Sequence, residues 1–308
     1  MGAILSLQHL AWTLQIPLER LRAIAAAGDA RYGHLSIRKD SKSRRLRVPD
    51  AELKAVQHRI LRRILGPIEL GDGVHGGVRG RSPRSNAEQH LGKKCVVCVD
   101  VVAFFPSVAH KVVYRMFRRE LGCGRDVASL LTRLTTCEAN LPQGAPTSTA
   151  IANHVLAVPV DRPVSAQARA LGVDYGRFVD DVAMSGDDPR PLIGEVGRGL
   201  SRRGLTMHRG KIRTRVTGKF RIMPNSGPQL VTGLNVNDRS GPSVPKAKRD
   251  RIRAAIRALR WKGADEIAKS LPSLRGQITY VKAYNPGSAA RLQLLLEAVL
   301  SEAAQHDL

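Results

Sequence analysis

The sequence predicts an α+β fold: one body built on an antiparallel sheet, with a helical lobe at its C-terminal end. Three observations predict it. Residues 175–186 (Tyr-Gly-Arg-Phe-Val-Asp-Asp-Val-Ala-Met-Ser-Gly) set apolar and β-branched residues on both sides of two adjacent acids. That is the pattern of a β-hairpin turning at Asp180-Asp181, with residues 182–184 as its second strand. Residues 94–102 form a second, nearly continuous apolar strand interrupted by one acid, Asp100. Both ends of the chain, by contrast, repeat apolar residues at helical spacing.

In chain order, Ile4, Leu7, Leu10, Leu14, Leu21 and Ile24 predict two helices, with Pro17 near the start of the second. Residues 32–49 read as a basic hairpin turning at 40–43. Asp50 is placed to cap a helix whose apolar face is Leu53, Val56, Ile60 and Ile64. Residues 71–84 hold five glycines and three arginines, a loop suited to close backbone approach to a polyanion. A helix is expected to begin near Asn86. Further helices are expected over about 108–121, 125–137 and 190–204, with another through Asn153 to Leu156 after a turn at 141–148, and strands around 213–216, 220–223 and 230–236. Pro245 opens a helix with Ile252, Ile256 and Leu259 on one face and Arg249, Arg253, Arg257 and Arg260 on another. The remainder is helical, with a break at 285–287.

The chain has 308 residues, 43% of them hydrophobic, enough for a core and several subdomains. Its 50 Lys and Arg against 26 acids give a formal charge of +24. The excess runs through the whole body and not a tail, which makes nucleic acid the expected partner. No window approaches a bilayer-spanning apolar run, and Gln8, His9 and Gln15 break up any leader-like segment, so no membrane partner and a cytoplasmic location are expected. Cys95-Val-Val-Cys98 has half the spacing of a zinc site, but Cys123 and Cys137 do not complete it. All four are read as reduced core thiols.

An acid inside an apolar strand is costly to bury unpaired, which makes Asp100 a site candidate. Asp180 and Asp181 at a tight turn repel by roughly 4 kcal/mol at 4 Å and an effective dielectric near 20. A cation between them removes that cost, and oxygen-only ligands suit Mg²⁺. Brought to one sheet edge, the three acids would serve two-metal phosphoryl transfer, in a polymerase or a nuclease.

Taken together, five segments resemble bacterial retron-type reverse transcriptases over most of residues 35–285. Phe178-Val-Asp-Asp181 is similar to the family's aromatic-x-Asp-Asp motif, and Asp100-Val-Val-Ala-Phe-Phe-Pro-Ser107 to its first catalytic strand. Leu141-Pro-Gln-Gly-Ala-Pro-Thr-Ser148 resembles the turn lining the nucleotide pocket. Asn86-Ala-Glu-Gln-His90 resembles the retron Asn-Ala-x-x-His signature, and Val231-Thr-Gly233 the retron Val-Thr-Gly. Phe178 stands where Tyr is usual and Val179 where a small Ala is common; neither removes a metal ligand.

The resemblance implies a right-hand polymerase: N-terminal helices over 1–30, fingers over 31–92 with 140–160, a palm over 93–240 and a short thumb over 241–308, with no room for an RNase H domain. It implies RNA-directed DNA synthesis with dNTPs and two Mg²⁺ ions, for which Mn²⁺ could substitute. Asp100, Asp180 and Asp181 would hold the metals with the Val101 carbonyl. Phe105 would be the steric gate against a ribose 2′-hydroxyl, and Gln143 would line the sugar side. Lys39 and Arg44 would meet the triphosphate, with Arg45 the alternative to Arg44, and Lys211 would lie near it. Asn86, His90, Thr232, Gly233, Arg249, Arg253 and Arg257 would face nucleic acid. The implied partner is a structured non-coding RNA, template and 2′-hydroxyl primer at once, yielding a branched RNA–DNA product. A toxin-like effector in anti-phage defence is implied beside it. The rivals are another bacterial reverse transcriptase class, of the diversity-generating or abortive-infection kind, and an RNA-binding scaffold without catalysis.

Overall fold

Helical capping and hydrophobic alternation set out the elements of the computed structural model, which describes residues 2–39, 42–208 and 220–306. Ser6 caps α1 (Leu7–Leu14) through His9 N, and Pro17 opens α2 (Leu18–Ala27). Strands β1 (Tyr32–Lys39) and β2 (Lys42–Pro49) pair antiparallel along their full length. Asp50 Oδ1 accepts from Leu53 N and starts α3 (Ala51–Ile60), which runs on into a π-helical turn at Leu61–Leu65. The next helix, α4 (Pro83–Glu88), begins three residues before the expected Asn86. Its start is fixed by Ser82 and Ser85 capping each other, with Pro83 at the first helical position.

Strand β3 (Cys95–Asp100) leads to a single turn α5 (Phe104–Ser107), then α6 (His110–Arg115) and α7 (Arg125–Thr135). After α8 (Ser148–Leu156) comes a helix that the sequence reading omits, α9 (Arg162–Ala170), joined to α8 by a π-helical turn. The hairpin β4 (Asp174–Phe178) and β5 (Asp181–Gly186) follows, then α10 (Leu192–Ser201) and β6 (Phe220–Pro224). The strand expected at 213–216 lies outside the described residues. Residues 230–236 are not one strand. They are a small hairpin, β7 (Leu230–Val231) and β8 (Leu234–Asn235), turning at Thr232-Gly233. Both turn residues have positive φ, 48° and 78°, the type I′ pattern that suits a tight hairpin and favours Gly at its second position. The C-terminal lobe is α11 (Lys246–Arg257), α12 (Ala264–Lys282) and α13 (Pro286–His306).

The central sheet is antiparallel in the order β4-β5-β3-β6. Its middle strand explains the fold. Successive side chains of a strand alternate between faces. Val97 and Val99 join a core that reaches from Ile4 to Leu205, whereas Val96 and Cys98 join a second core with the C-terminal helices. Both faces of β3 are therefore dry, so its sequence reads as a continuous apolar run. Burial pushes the Cys98 thiol up to about 12. All four cysteines are free thiols, as the sequence suggests. No helix among the described residues is long and apolar enough to cross a membrane.

Between the two cores lies a fully buried His90, whose titration burial lowers to about 4. The unfolded chain, with histidine near 6.5, binds more protons than the folded one between about pH 4 and 6.5. The contribution is therefore complete above pH 6.5 and lost as the pH falls toward 4, by on the order of 3 kcal/mol. His75, His110 and His154 are lowered by burial in the same sense. Denaturant unfolding followed from pH 7 to 4 should show stability falling throughout, and His90→Gln should remove the largest part of that slope.

Candidate active site

Register brings the acids together. Asp100, the last residue of β3, is the Cα partner of Asp181, the first residue of β5. Asp181 also pairs with Phe178 across the hairpin, so Val179 and Asp180 alone form the two-residue turn. The turn thus sits one residue earlier than the sequence suggests, with Asp180 in it and Asp181 already in the strand. All three carboxylates lie at one end of the sheet, each half-buried. Like charges directly opposite each other destabilise a ladder, a cost that a cation removes. Among the described residues no three His, Cys, Asp or Glu side chains lie close enough together to hold an ion by themselves. Two carboxylates with substrate phosphates completing the shell is how Mg²⁺ is commonly held, and this donor set fits that arrangement.

The turn is held from below by a residue the sequence reading did not single out. Arg177, fully buried, donates from Nε to Asp161 Oδ1 and from Nη2 to Asp161 Oδ2, both at 2.7 Å. Its Nη1 donates to Asn153 Oδ1 at 2.9 Å and to the Val179 carbonyl in the turn at 2.6 Å. Tyr175 donates its hydroxyl to Asp161 Oδ1 at 2.5 Å. Burial pulls the Arg177 pKa down and Asp161 outweighs it, so the guanidinium stays charged. The sequence signal was a lone arginine inside an otherwise apolar strand.

Asn153 in turn donates from Nδ2 to the Gly76 carbonyl at 2.8 Å. The glycine-rich loop, expected to approach a polyanion, approaches the hairpin instead. His75 N donates to Arg177 O, and Arg177 N donates to Gly73 O. A Cβ on Gly76 would stand 2.6 Å from Val179 Cγ2 and 2.9 Å from the Phe178 carbonyl carbon, so only glycine fits.

Other predicted residues fall into groups. Asn86 and His90 are buried and do not face solvent. His90 Nδ1 hydrogen-bonds Ser185 Oγ at 2.7 Å, and a Cβ on Gly176 would meet Asn86 Oδ1 at 2.5 Å and His90 Nε2 at 2.8 Å. Their placement is that of a support under the hairpin, not of a nucleic-acid contact. Thr232 donates its hydroxyl to Pro83 O at 3.0 Å, tying the Thr232-Gly233 turn to the start of α4; Gly233 is exposed. Gln143 is half-buried, and its carbonyl accepts from Arg47 N at 2.8 Å, which docks the 141–148 turn on β2. Phe104 is buried and Phe105 half-buried, their ring centroids 5.7 Å apart. Val101 is buried beside Asp100, whose carbonyl accepts from His208 N. Arg44 is exposed on β2, opposite Ile37, and Arg45 is exposed beside it; Lys39 ends β1. Lys211 lies outside the described residues. Arg253 and Arg257 are exposed on α11, but Arg249 turns inward and donates from Nη1 to Ser288 Oγ at 2.7 Å. It braces α13 and leaves the basic stripe one turn shorter than the sequence predicts.

No family model matches the chain. It is 33% identical over 267 residues to the Retron Mx65 reverse transcriptase of Myxococcus xanthus, a match covering 81% of this chain and 60% of that protein. The Retron Mx162 reverse transcriptase of the same organism is 31% identical over 307 residues, covering 87% and 61%. The Retron Se72 reverse transcriptase of Salmonella heidelberg is 28% identical over 270 residues, covering 85% and 70%. These homologues are reverse transcriptases by name, RNA-directed DNA polymerases as a class. The chain is thus similar to several retron reverse transcriptases over most of its own length. It spans about three fifths of the length of the two Myxococcus proteins.

Removing one partner of a buried pair strands the other charge, at about 3–5 kcal/mol. Asp161→Ala should lower the unfolding free energy by that amount, read by chemical denaturation. Adding Arg177→Met to it should recover part of the loss, because no charge is then stranded.

Proposed function

We propose that the chain is an RNA-directed DNA polymerase of retron type. It copies a cognate structured non-coding RNA into single-stranded DNA, starting from a ribose 2′-hydroxyl of that RNA and leaving a branched RNA–DNA product. The observation that carries this reading is the register of Asp100 against Asp181 with Asp180 in the adjoining turn, in a chain related to proteins named reverse transcriptases.

In this reading β1, β2 and α3 belong to the fingers with 140–160, the four-stranded sheet is the palm, and α11 to α13 are the thumb. Asp100, Asp180 and Asp181, with the Val101 carbonyl, would hold two Mg²⁺ ions together with the phosphates of a dNTP. Bound there, the ions would neutralise charge on the attacking and leaving oxygens. The chain's own groups do the rest. The primer hydroxyl attacks the α-phosphorus, its proton passes to solvent, and the bond to pyrophosphate breaks. Arg44, exposed on β2 with Arg45 beside it, would meet the triphosphate together with Lys39, a guanidinium fork suiting phosphate oxygens. The half-buried Phe105 ring, with buried Phe104 behind it, would exclude a ribose 2′-hydroxyl. Gln143, whose carbonyl accepts from Arg47 N on β2, would line the sugar side. Arg253 and Arg257 grip the duplex backbone. An effector protein in anti-phage defence and a cytoplasmic setting accompany this reading.

Nucleic acid purified with the protein, expressed with its flanking genomic DNA, tests the reading. A discrete single-stranded DNA should survive RNase and change mobility on treatment with a debranching enzyme. DNA indifferent to debranching would move the chain to another reverse transcriptase class, and RNA without DNA would make it a scaffold. Asp180→Ala should abolish the DNA product and leave RNA affinity within about twofold, because it removes a metal ligand and not a phosphate contact. Loss of RNA binding in that variant would make the acids structural.

A further inference from the structure

The chain holds two tryptophans, and both stand in the open: Trp12 is 78% exposed and Trp261 90%. Their settings differ. Trp12 lies on α1 beside the His9 ring, with exposed Leu5 just before the helix. Trp261 closes the single 3₁₀ turn after α11, where Ile252, Ile256 and Leu259 face the core and leave Arg253, Arg257 and Trp261 on the outward side. Exposed Lys262 follows it directly, and exposed Arg260 precedes it. The local cations are committed only lightly. Arg253 pairs with Asp250 at 2.6 Å and Arg260 with Glu302 at 2.8 Å, both between side chains close to half exposed. Such surface pairs are worth little and give way to phosphate.

An indole left in water next to an apolar rim would suit a protein partner, since such anchors sit in desolvated pockets. This indole stands between exposed Arg260 and Lys262 in the chain, four residues after exposed Arg257. A cationic track ending in a bare aromatic ring is the pairing that holds unpaired nucleic acid: the cations follow the backbone and a base stacks on the ring. Along α11 the spacing is regular, with about 6 Å of rise from Arg253 to Arg257 and a further turn to Trp261. Arg249 does not extend the track at its other end, being bonded inward to Ser288.

We propose that Trp261 is the seat of an unpaired RNA base at the end of a duplex whose backbone Arg253 and Arg257 grip. The site would mark where paired RNA gives way to a loop, and so set the register of the RNA on the C-terminal lobe. This rests on the reading of the chain as an RNA-binding polymerase.

The two-tryptophan composition makes the test direct. In Trp12→Phe, Trp261 is the sole indole. Its emission should be quenched at saturation by an RNA stem closed with an unpaired loop, and much less by the same stem capped at both ends as a closed duplex. Trp261→Ala should weaken binding of the looped RNA by tenfold or more, within the range of one base stack, and leave the capped duplex unaffected. Trp261→Phe should keep most of the affinity. Looped RNA that binds with the indole unquenched, or equal quenching by the capped duplex, would overturn this site alone. An emission already blue-shifted in the free protein and dependent on its concentration would assign the ring to a second copy of the chain and overturn it too. Failure of the unaltered chain to bind either RNA would overturn the functional reading itself, and this site with it.

Discussion

The ion pair between Arg177 and Asp161 is the constraint on which the rest of the centre depends. Neither charge reaches water, so each is tolerable only because the other is there with every near hydrogen bond made. Arg177 spends its fork on Asp161 and its remaining amino group on the turn carbonyl and Asn153. One side chain therefore joins α8, the residue preceding α9, and the hairpin. Few hydrophobic contacts could do this, because packing is indifferent to small rotations whereas a bidentate guanidinium fixes direction. A carboxylate-bearing turn needs direction more than it needs stability.

The second device is the sheet itself. Because β3 buries alternate residues in two cores, the strand that carries Asp100 also packs against the C-terminal helices. Helix α4 reinforces the link. Its His90 end bonds Ser185 of the acidic hairpin, its Pro83 end accepts from Thr232, and Arg84 reaches the Ala283 carbonyl of the C-terminal lobe. The two short motifs singled out in the sequence, at 86–90 and 231–233, thus meet on one helix. Their placement there gives them a common task, holding the C-terminal lobe and the acidic hairpin in a fixed relation.

What could be read from the sequence follows from what leaves a periodic trace. Strands buried on both faces, amphipathic helices and caps such as Asp50 appear as runs and spacings, and these were legible to within a few residues. The acid pair was legible because charge inside an apolar run is conspicuous. The role of Arg177 was not, because its meaning depends on Asp161, sixteen residues away across an unpredicted helix. Nor was the inward turn of Arg249, which shares its helical spacing with Arg253 and Arg257 and differs only in having Ser288 beside it. Thr232-Gly233 read as mid-strand because β-branched neighbours outweigh a single glycine, although Gly at φ 78° is what lets the chain reverse there.

Val179 shows what the buried pair makes affordable. Its φ of 62°, with Asp180 on the ordinary side, has the sign pattern of a II′ turn, where glycine is the usual first residue. A β-branched side chain in that region costs about 1–3 kcal/mol, and the turn keeps it because three neighbours leave no alternative. Arg177 holds the Val179 carbonyl, the glycine loop presses Gly76 against its side chain, and Asn153 ties that loop to Arg177. Relaxing φ at Val179 would break the carbonyl bond and shift the turn that carries Asp180. The strain in this turn is thus locked by a closed ring of contacts that fixes the backbone carrying Asp180.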